Sequence, residues 1–584
     1  MNSDSWSAAP GRGLRALRSV LVAAITALGM LVAAGGASAT TFCVPDFHAQ
    51  CSDDGESVAE PSFQDALLTD RSDGEPDRIV LDAATIDQAG DGTGDGYALG
   101  SGGDPLEIVG AGPNQTTLTN ETTGNNFAFN LNPATRPSSL ELRDLTFEVP
   151  DTLDAGAGSA MQVAPGTLLE RVDIRNTHDG TAFGISFNGV SGTFREGRIY
   201  SNAGVEVNSG IRVNNALGAG TVVIEGATIA ARIPVDASPS GTTLNLDGTV
   251  DVKRSHLIGR TGAIVAMGGT ASATNSILEL IPRAAGSGVT AAVSVRSSSV
   301  NSEPPGAVTL DHVTIVAPPI PEAGNFYDGV NATVPGNADD DATAEITNSI
   351  ISVPTDALVA VAPDASPDGD ALIEVSHTSY PDSTHEAGDG EIVEGSGNLL
   401  DQDPMFTAPD DFHLLPGSPA IDAGDPGATG PQVDFDGLPR PRDGDGDGTP
   451  VRDMGAFELQ TDDVTPPELA ILGARLRLNR NRRTVIRLRC PATEESPPCA
   501  GRIRLQTRRK VRVGARSRKV RLVARTYQVD AGQTKTLQLR LSTRRARLVR
   551  TQRRARKVRA ITRVRDQEGN SRLVAKPMKL VPRP

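Results

Sequence analysis

The sequence predicts an all-β protein, a parallel β-solenoid followed by a small β-sandwich. A six-residue cassette returns nine times in its first two thirds, reading apolar, two polar, apolar or small, polar, apolar. The stretches between cassettes are rich in Gly, Ser, Thr, Asn and Asp, which rules against helical-hairpin repeats. Beyond residue 465 the text changes to runs in which basic and apolar residues alternate, the pattern of strands with one wet and one buried face.

The cassette reads LRDLTF from Leu142, LERVDI from Leu169, FREGRI from Phe194, IEGATI from Ile224, VKRSHL from Val252, ATNSIL from Ala273, LDHVTI from Leu310, ITNSII from Ile346 and VSHTSY from Val375. Successive starts lie 27, 25, 30, 28, 21, 37, 36 and 29 residues apart, a loose period of the kind stacked coils produce. A flat strand buries every second residue, whereas here the first, fourth and sixth positions are the inward ones. The inward phase slips once, so a bend separates two short strands. The sixth position is always large, and the fourth is often small, as at Gly197, Ala227, Ser255, Ser276 and Ser349. At this point the chain resembles the right-handed parallel β-helix proteins, a group that includes pectate lyases and many secreted proteins. The solenoid is expected over residues 75–400.

The outward positions support the stack. The second positions run Arg143, Glu170, Arg195, Glu225, Lys253 and the third run Asp144, Arg171, Glu196, Gly226, Arg254. Coils about 4.8 Å apart favour opposite charges in direct opposition. An exposed, ion-paired face is expected there, and it carries no net field for an ionic substrate.

At the amino end Arg12, Arg15 and Arg18 precede an apolar run from Val20, and Ala37-Ser38-Ala39 offers a small-residue cleavage site. That layout predicts a signal peptide over 1–39 and a secreted, extracellular or cell-surface protein with no transmembrane segment afterwards. Four cysteines in an exported chain predict two local disulfides, Cys43 with Cys51 and Cys490 with Cys499. Residues 40–74 then read as a disulfide loop plus a short helix, from Pro61 to Asp70, that covers the open end of the solenoid.

Residues 401–460 read as the closing segment of the solenoid. Their phrases GSPAIDAG and DMGAFE resemble the tail of bacterial choice-of-anchor proteins, which implies a surface location and a following attachment module. After a polar linker, 461–467, comes a basic unit at 468–584 whose RDQEGNSRLV segment resembles the final hairpin of immunoglobulin-like bacterial repeat domains. From residue 465 onward there are 35 Lys and Arg against 6 Asp and Glu, and before it 21 against 66, so the two parts carry net charges of +29 and −45.

Chemistry-bearing patterns are few. The DGDGDGTPVRD run sets Asp443, Asp445, Asp447 and Asp453 at spacings that suit a calcium loop, although Met454 stands where a twelfth-position Glu would be. An ion-free acidic turn is the competing reading, and DGTGDG from Asp91 is a weaker version. Asn275, His312, Asn348 and His377 share the third cassette position, which predicts a polar column able to contact a glycan or simply to bond with itself. The NTHDG stretch from Asn176 resembles polygalacturonases, but their other motifs have no counterparts here. No histidine falls into zinc or triad spacing. Three functions are consistent with these patterns: a binding or structural module of the envelope with no active site, a lyase or hydrolase acting on an acidic glycan in the solenoid groove, or an adhesin gripping anionic wall polymer through its basic domain. A cofactor other than calcium is not expected, and nucleic acid is not the expected partner.

Overall fold

A computed structural model describes residues 40–582 except 52–56, 69–74, 88–96, 99–102, 120–126, 131–137, 150–158, 177–182, 189, 202–208, 215–219, 232, 238–247, 283–287, 298–304, 319–323, 337–339, 364–368, 461–466, 493–497, 514–515 and 566–570. The expected signal peptide, the DGTGDG run and the NTHDG stretch lie in part or whole outside the described residues.

The first part is a right-handed parallel β-helix. The first two cassettes lie in continuous strands, Leu140–Val149 and Thr167–Asn176, and each later one supplies two short strands that pair in parallel with the same strands one coil on: Thr249–Lys253 with Thr270–Thr274, for example, and His256–Gly259 with Ile277–Leu280. A third face, invisible in the cassette, is an 11-stranded parallel sheet running from Tyr97–Ala98 to Thr384–Gly388. The inward residues meet in one continuous core, with Leu142, Leu145, Leu169, Val172, Ile229, Leu257 and Ile315 fully buried.

The phase slip has a backbone cause. Every third cassette position adopts the left-handed conformation, from Asp144 (φ 58°) through Arg171, Glu196, Gly226, Arg254, Asn275, His312 and Asn348 to His377 (φ 46°). Asn, Asp and His tolerate that region better than most residues. The bend turns the fourth position inward, and its N–H no longer faces a carbonyl of the next coil. Small hydroxyl residues answer this. Ser255 Oγ accepts from the Ala227 N–H at 3.2 Å, Ser276 Oγ from Ser255 at 3.2 Å, Ser349 Oγ from Val313 at 3.0 Å and Thr378 Oγ1 from Ser349 at 3.3 Å. Each hydroxyl donates in turn to the carbonyl two residues before it, as Ser349 does to Thr347 at 2.7 Å. Fully buried hydroxyls are thus satisfied on both sides. Where the fourth residue is Gly197, a Cβ would lie 2.3 Å from the Val172 carbonyl and 2.6 Å from the Phe194 ring.

The charge columns are in register. Glu170 pairs with Arg143 at 2.6 Å on one side and Arg195 at 3.5 Å on the other, and Arg171 of its own coil stands 3.3 Å away. In the next column Arg171 holds Asp144 through two hydrogen bonds of 2.6 and 2.9 Å. The arginines are partly exposed while the Glu170 side chain is only 11% exposed, so each contact is worth about 1 kcal/mol, the upper end of the range for exposed pairs. Glu170→Ala is therefore expected to lower the melting temperature by a few degrees at most, and Glu170→Arg, which stacks like charges over three coils, by clearly more. Equal melting temperatures for the two variants would refute the column as a source of stability.

The solenoid starts earlier than residue 75. Thr41–Val44 pairs in parallel with Asp77–Leu81, so the Cys43–Cys51 disulfide, with Cα atoms 5.6 Å apart, closes a loop of the first coil. The helix Phe63–Leu68 is capped by Ser62, whose Oγ accepts from the Asp65 N–H at 3.0 Å. Phe63, Ala66 and Leu67 face the core at this first coil, with the Phe63 ring 5.0 Å from that of Tyr97.

The second part is a β-sandwich with its own core. A three-stranded sheet of Ala470–Leu472, Arg483–Arg489 and Thr534–Arg540 and a five-stranded sheet of Arg475–Leu478, Ser571–Pro582, Lys557–Arg565, Cys499–Thr507 and Arg521–Val529 bury Leu478, Leu488, Ile503, Leu505 and Leu580 between them. The Cys490–Cys499 disulfide links one sheet's exit to the other's entry. A helix, Thr543–Thr551, packs Ala546 and Val549 onto the same core.

Candidate functional site

Residues 401–460 do not close the end of the solenoid. They run back along its flank as a strap laid over the coil bends. Asn275 donates to the Val433 carbonyl at 2.6 Å, the Asp425 N–H bonds to Asn348 Oδ1 at 2.7 Å, and the Ala456 N–H bonds to Thr314 Oγ1 at 2.9 Å. Under the strap the fifth cassette positions are apolar or buried: Ile277 packs with Phe412 and Phe457, and Ile350 with Leu414, Ile421 and Met454. The strap approaches so closely that a Cβ at Gly455 (φ 85°) would lie 2.7 Å from Thr314 Oγ1.

This changes what the polar column can do. Asn275, His312 and Asn348 are 3%, 0% and 3% exposed and covered by the strap; Asn275 bonds to it, Asn348 to it and to Asp311, and His312 Nδ1 lies 2.7 Å from Asp311 Oδ1. His377, half-buried, lies against the loop carrying Gly397. Burial pushes the His312 imidazole below its ordinary pKa, although Asp311 at 2.7 Å pulls the other way. Asn275 and Asn348 thus anchor the strap, His312 lies buried beneath it, and of the four only His377 keeps a partly open side.

The strap is held by a buried ionic cluster. Arg440, with a fully buried side chain, lies 3.1 Å from Glu458 and donates from Nη1 to Asn275 Oδ1 at 2.9 Å and from Nη2 to the Gly455 carbonyl at 3.2 Å. Asp453 accepts from the Asp422 N–H at 2.8 Å and from the Leu459 N–H at 2.6 Å, and its own N–H donates to Glu458 at 3.0 Å. Burial first, and then each other's charge in the case of Glu458, pushes both acids well above the ordinary carboxylate range.

The acidic turn comes next to it. Asp443 and Asp445 converge with Asp422, a residue the spacing did not single out, so that one oxygen of each lies within 4.8 Å of the others. Asp447 is not part of that group, and Asp453 is turned inward to the cluster just described. The three carboxylates also accept from the turn's own backbone, Asp422 Oδ2 from Gly444 and Asp445 at 2.8 Å each and Asp443 from Gly446 at 2.8 Å. Each oxygen keeps a lone pair for a hard cation, but six to eight ligands would require backbone carbonyls and waters besides.

The largest concentration of uncompensated chemistry is on the sandwich. Its strands alternate buried apolar residues with exposed Arg or Lys, as in Arg483–Arg489 and Cys499–Thr507. Basic residues even face one another across the ladders. Lys579 stands opposite both Arg475 and Lys557, and Arg483 opposite Arg540. Direct opposition of like charges destabilises a sheet. Among the acids, Glu468 pairs with Arg572. Among the described residues, clefts on this surface are lined by Arg508, Arg509, Lys519, Lys557 and Arg559, by Arg482, Arg502, Arg521, Arg540 and Arg545, and by Arg512, Arg518, Arg544 and Arg547. Tyr527 is the sole aromatic residue between 465 and 584, and it is buried with its hydroxyl 2.8 Å from Thr562 Oγ1.

No family model matches the chain, and no curated protein sequence matches it. Two solved structures from Azotobacter vinelandii show a slight likeness. The A-module of mannuronan C-5 epimerase AlgE6 matches at 12% identity over 56% of this chain and 91% of that one, with a TM-score of 0.30. The A-module of AlgE4 matches at 11% identity over 56% and 89%, with a TM-score of 0.24. Likeness at this level carries no argument about activity, and the fold stands on the strand register described above.

Proposed function

We propose that this protein is an exported binding module in which the β-helix is the scaffold and the basic sandwich attaches to an anionic polymer of the cell envelope. The observation that carries this is the contrast in charge pairing. The cassette columns of the solenoid pair from coil to coil on a part of the chain that is acidic overall, with 66 acids against 21 basic groups, while the sandwich keeps 35 basic groups against 6 acids and places several in mutual opposition. A field of that sign attracts polyanions. The two disulfides fit an oxidising compartment, and among the described residues no helix is long and apolar enough to cross a membrane. The resemblance of GSPAIDAG and DMGAFE to choice-of-anchor tails, with an immunoglobulin-like unit behind, supports attachment through the domain beyond the strap.

The test compares the full mature chain with one ending at residue 460, both passed over immobilised anionic wall polymer. The full chain is expected to be retained at low salt and released as the ionic strength approaches about 1 M, where the Debye length is about 3 Å. The shortened chain, whose core is separate from that of the sandwich, is expected to pass through. Retention of the shortened chain, or retention of the full chain that salt does not weaken, would overturn the assignment.

A further inference from the structure

Resting on that reading, we propose that the cleft lined by Arg482, Arg502, Arg521, Arg540 and Arg545 is the point of specific contact, and that it takes the phosphodiester groups of a polyol-phosphate polymer. The cleft has a volume of about 490 Å³ and is bounded by both sheets and by the start of the helix, where Ser542 and Thr543 add hydroxyls. Five guanidiniums converge on it and no carboxylate lines it. Arg482 donates to Thr543 Oγ1 and Arg545 to the Leu522 carbonyl at 3.4 Å, which orients these two side chains. The side chains of Arg502, Arg521 and Arg540 have no hydrogen-bond or ion-pair partner among the described residues, and all three are exposed.

Three unpaired guanidiniums held around one depression repel one another until an anion enters. The directions of approach select the anion. A carboxylate is planar and accepts one or two guanidinium forks in its own plane, whereas a phosphate group presents oxygens in several directions and suits donors arriving from two sheets and a helix. The absence of an exposed aromatic residue from the sandwich removes the platform on which sugar rings or nucleobases stack. Affinity must then come from the backbone anions of the polymer, and a flexible polyol phosphate can place successive phosphates in the cleft without ring stacking.

The experiment measures binding of the full mature chain at low salt to poly(glycerol phosphate), to polygalacturonate and to oligo(dT) of matched total charge. The wild type is expected to prefer poly(glycerol phosphate). The triple variant Arg502→Gln, Arg521→Gln, Arg540→Gln is expected to lose at least about tenfold in affinity for it, because charge-assisted contacts are removed. A control that removes the same charge elsewhere, Arg475→Gln, Arg487→Gln, Lys579→Gln, is expected to lose only about two- to threefold through the general field. Melting temperatures report folding, and relief of like-charge repulsion is expected to leave them unchanged or raised in both variants. Equal losses in the two variants would overturn the cleft, and equal or tighter binding of polygalacturonate or oligo(dT) would overturn the phosphodiester assignment. Failure of the wild type to bind any of the three polymers would instead overturn the polymer-binding reading beneath it.

Discussion

Replacing Arg440 with alanine is expected to destabilise the strap by about 3–5 kcal/mol above about pH 8, where Glu458 is ionised, the usual cost of removing one partner of a buried charge pair. Its guanidinium joins Glu458 near the end of the strap, the Gly455 carbonyl, and Asn275 on the coil bend. Without it Glu458 and Asp453 share a buried site with no cation between them. Arg440→Lys keeps the charge but cannot reach Asn275 and Gly455 together, so an intermediate loss is expected. Hydrogen exchange separates strap loss from global unfolding. The amides of Asp425, Ala456 and Leu459 should lose protection in Arg440→Ala while those of the strands Leu140–Val149 and Thr167–Asn176 keep theirs. Uniform loss across both sets would show that Arg440 supports the solenoid as a whole.

The same cluster makes stability depend on pH in a direction opposite to that of ordinary surface ion pairs. Burial raises Asp453 from the usual value to about 7 and Glu458 to about 8. A carboxyl whose folded pKa exceeds its unfolded one binds more protons folded than unfolded in the interval between them, so stability falls as pH rises through it. The contribution is fully present below about 4 and is lost progressively towards pH 8. The two acids are coupled, and together the loss is on the order of a few kcal/mol. Glu458→Gln, which imitates the protonated group, is expected to flatten the decline in melting temperature between pH 5 and about 8. Parallel curves for variant and wild type would place the titration elsewhere.

Much of the solenoid was legible because coil stacking forces a local pattern to repeat. The first, fourth and sixth cassette positions had to be apolar or small, and the slip between them could only be a bend, which proves to be a left-handed residue at each third position. The third sheet was not legible, since its strands vary in spacing and carry no shared phrase. The strap was misread for a different reason. Its contacts with the bends reach across as many as 165 residues, from Arg440 back to Asn275, and a contact made once leaves no period. A signal was nevertheless present in the outward fifth positions, where Arg198, Thr228 and His256 give way to Ile277 and Ile350, apolar residues that a solvated strand face would not carry. Likewise Asp422 lies 21 residues before Asp443 and joins the acidic turn only through the strap's fold. The basic face, by contrast, is a matter of composition and alternation and could be read directly.

The strap also determines how the molecule carries mechanical load. Tension between the solenoid and an attached sandwich must pass through the segment after Gln460. Were the last coil joined directly to it, such a pull would peel strands from the stack one at a time, each bond breaking before the next was loaded. Instead the chain leaves from Glu458 and Leu459, which are tied back to Asp434 and Asp453 within the strap. The strap in turn is fastened to Asn275, Thr314 and Asn348 on three successive coils. The bonds on those coils bear the force together, in shear, and the end of the β-helix is relieved of it.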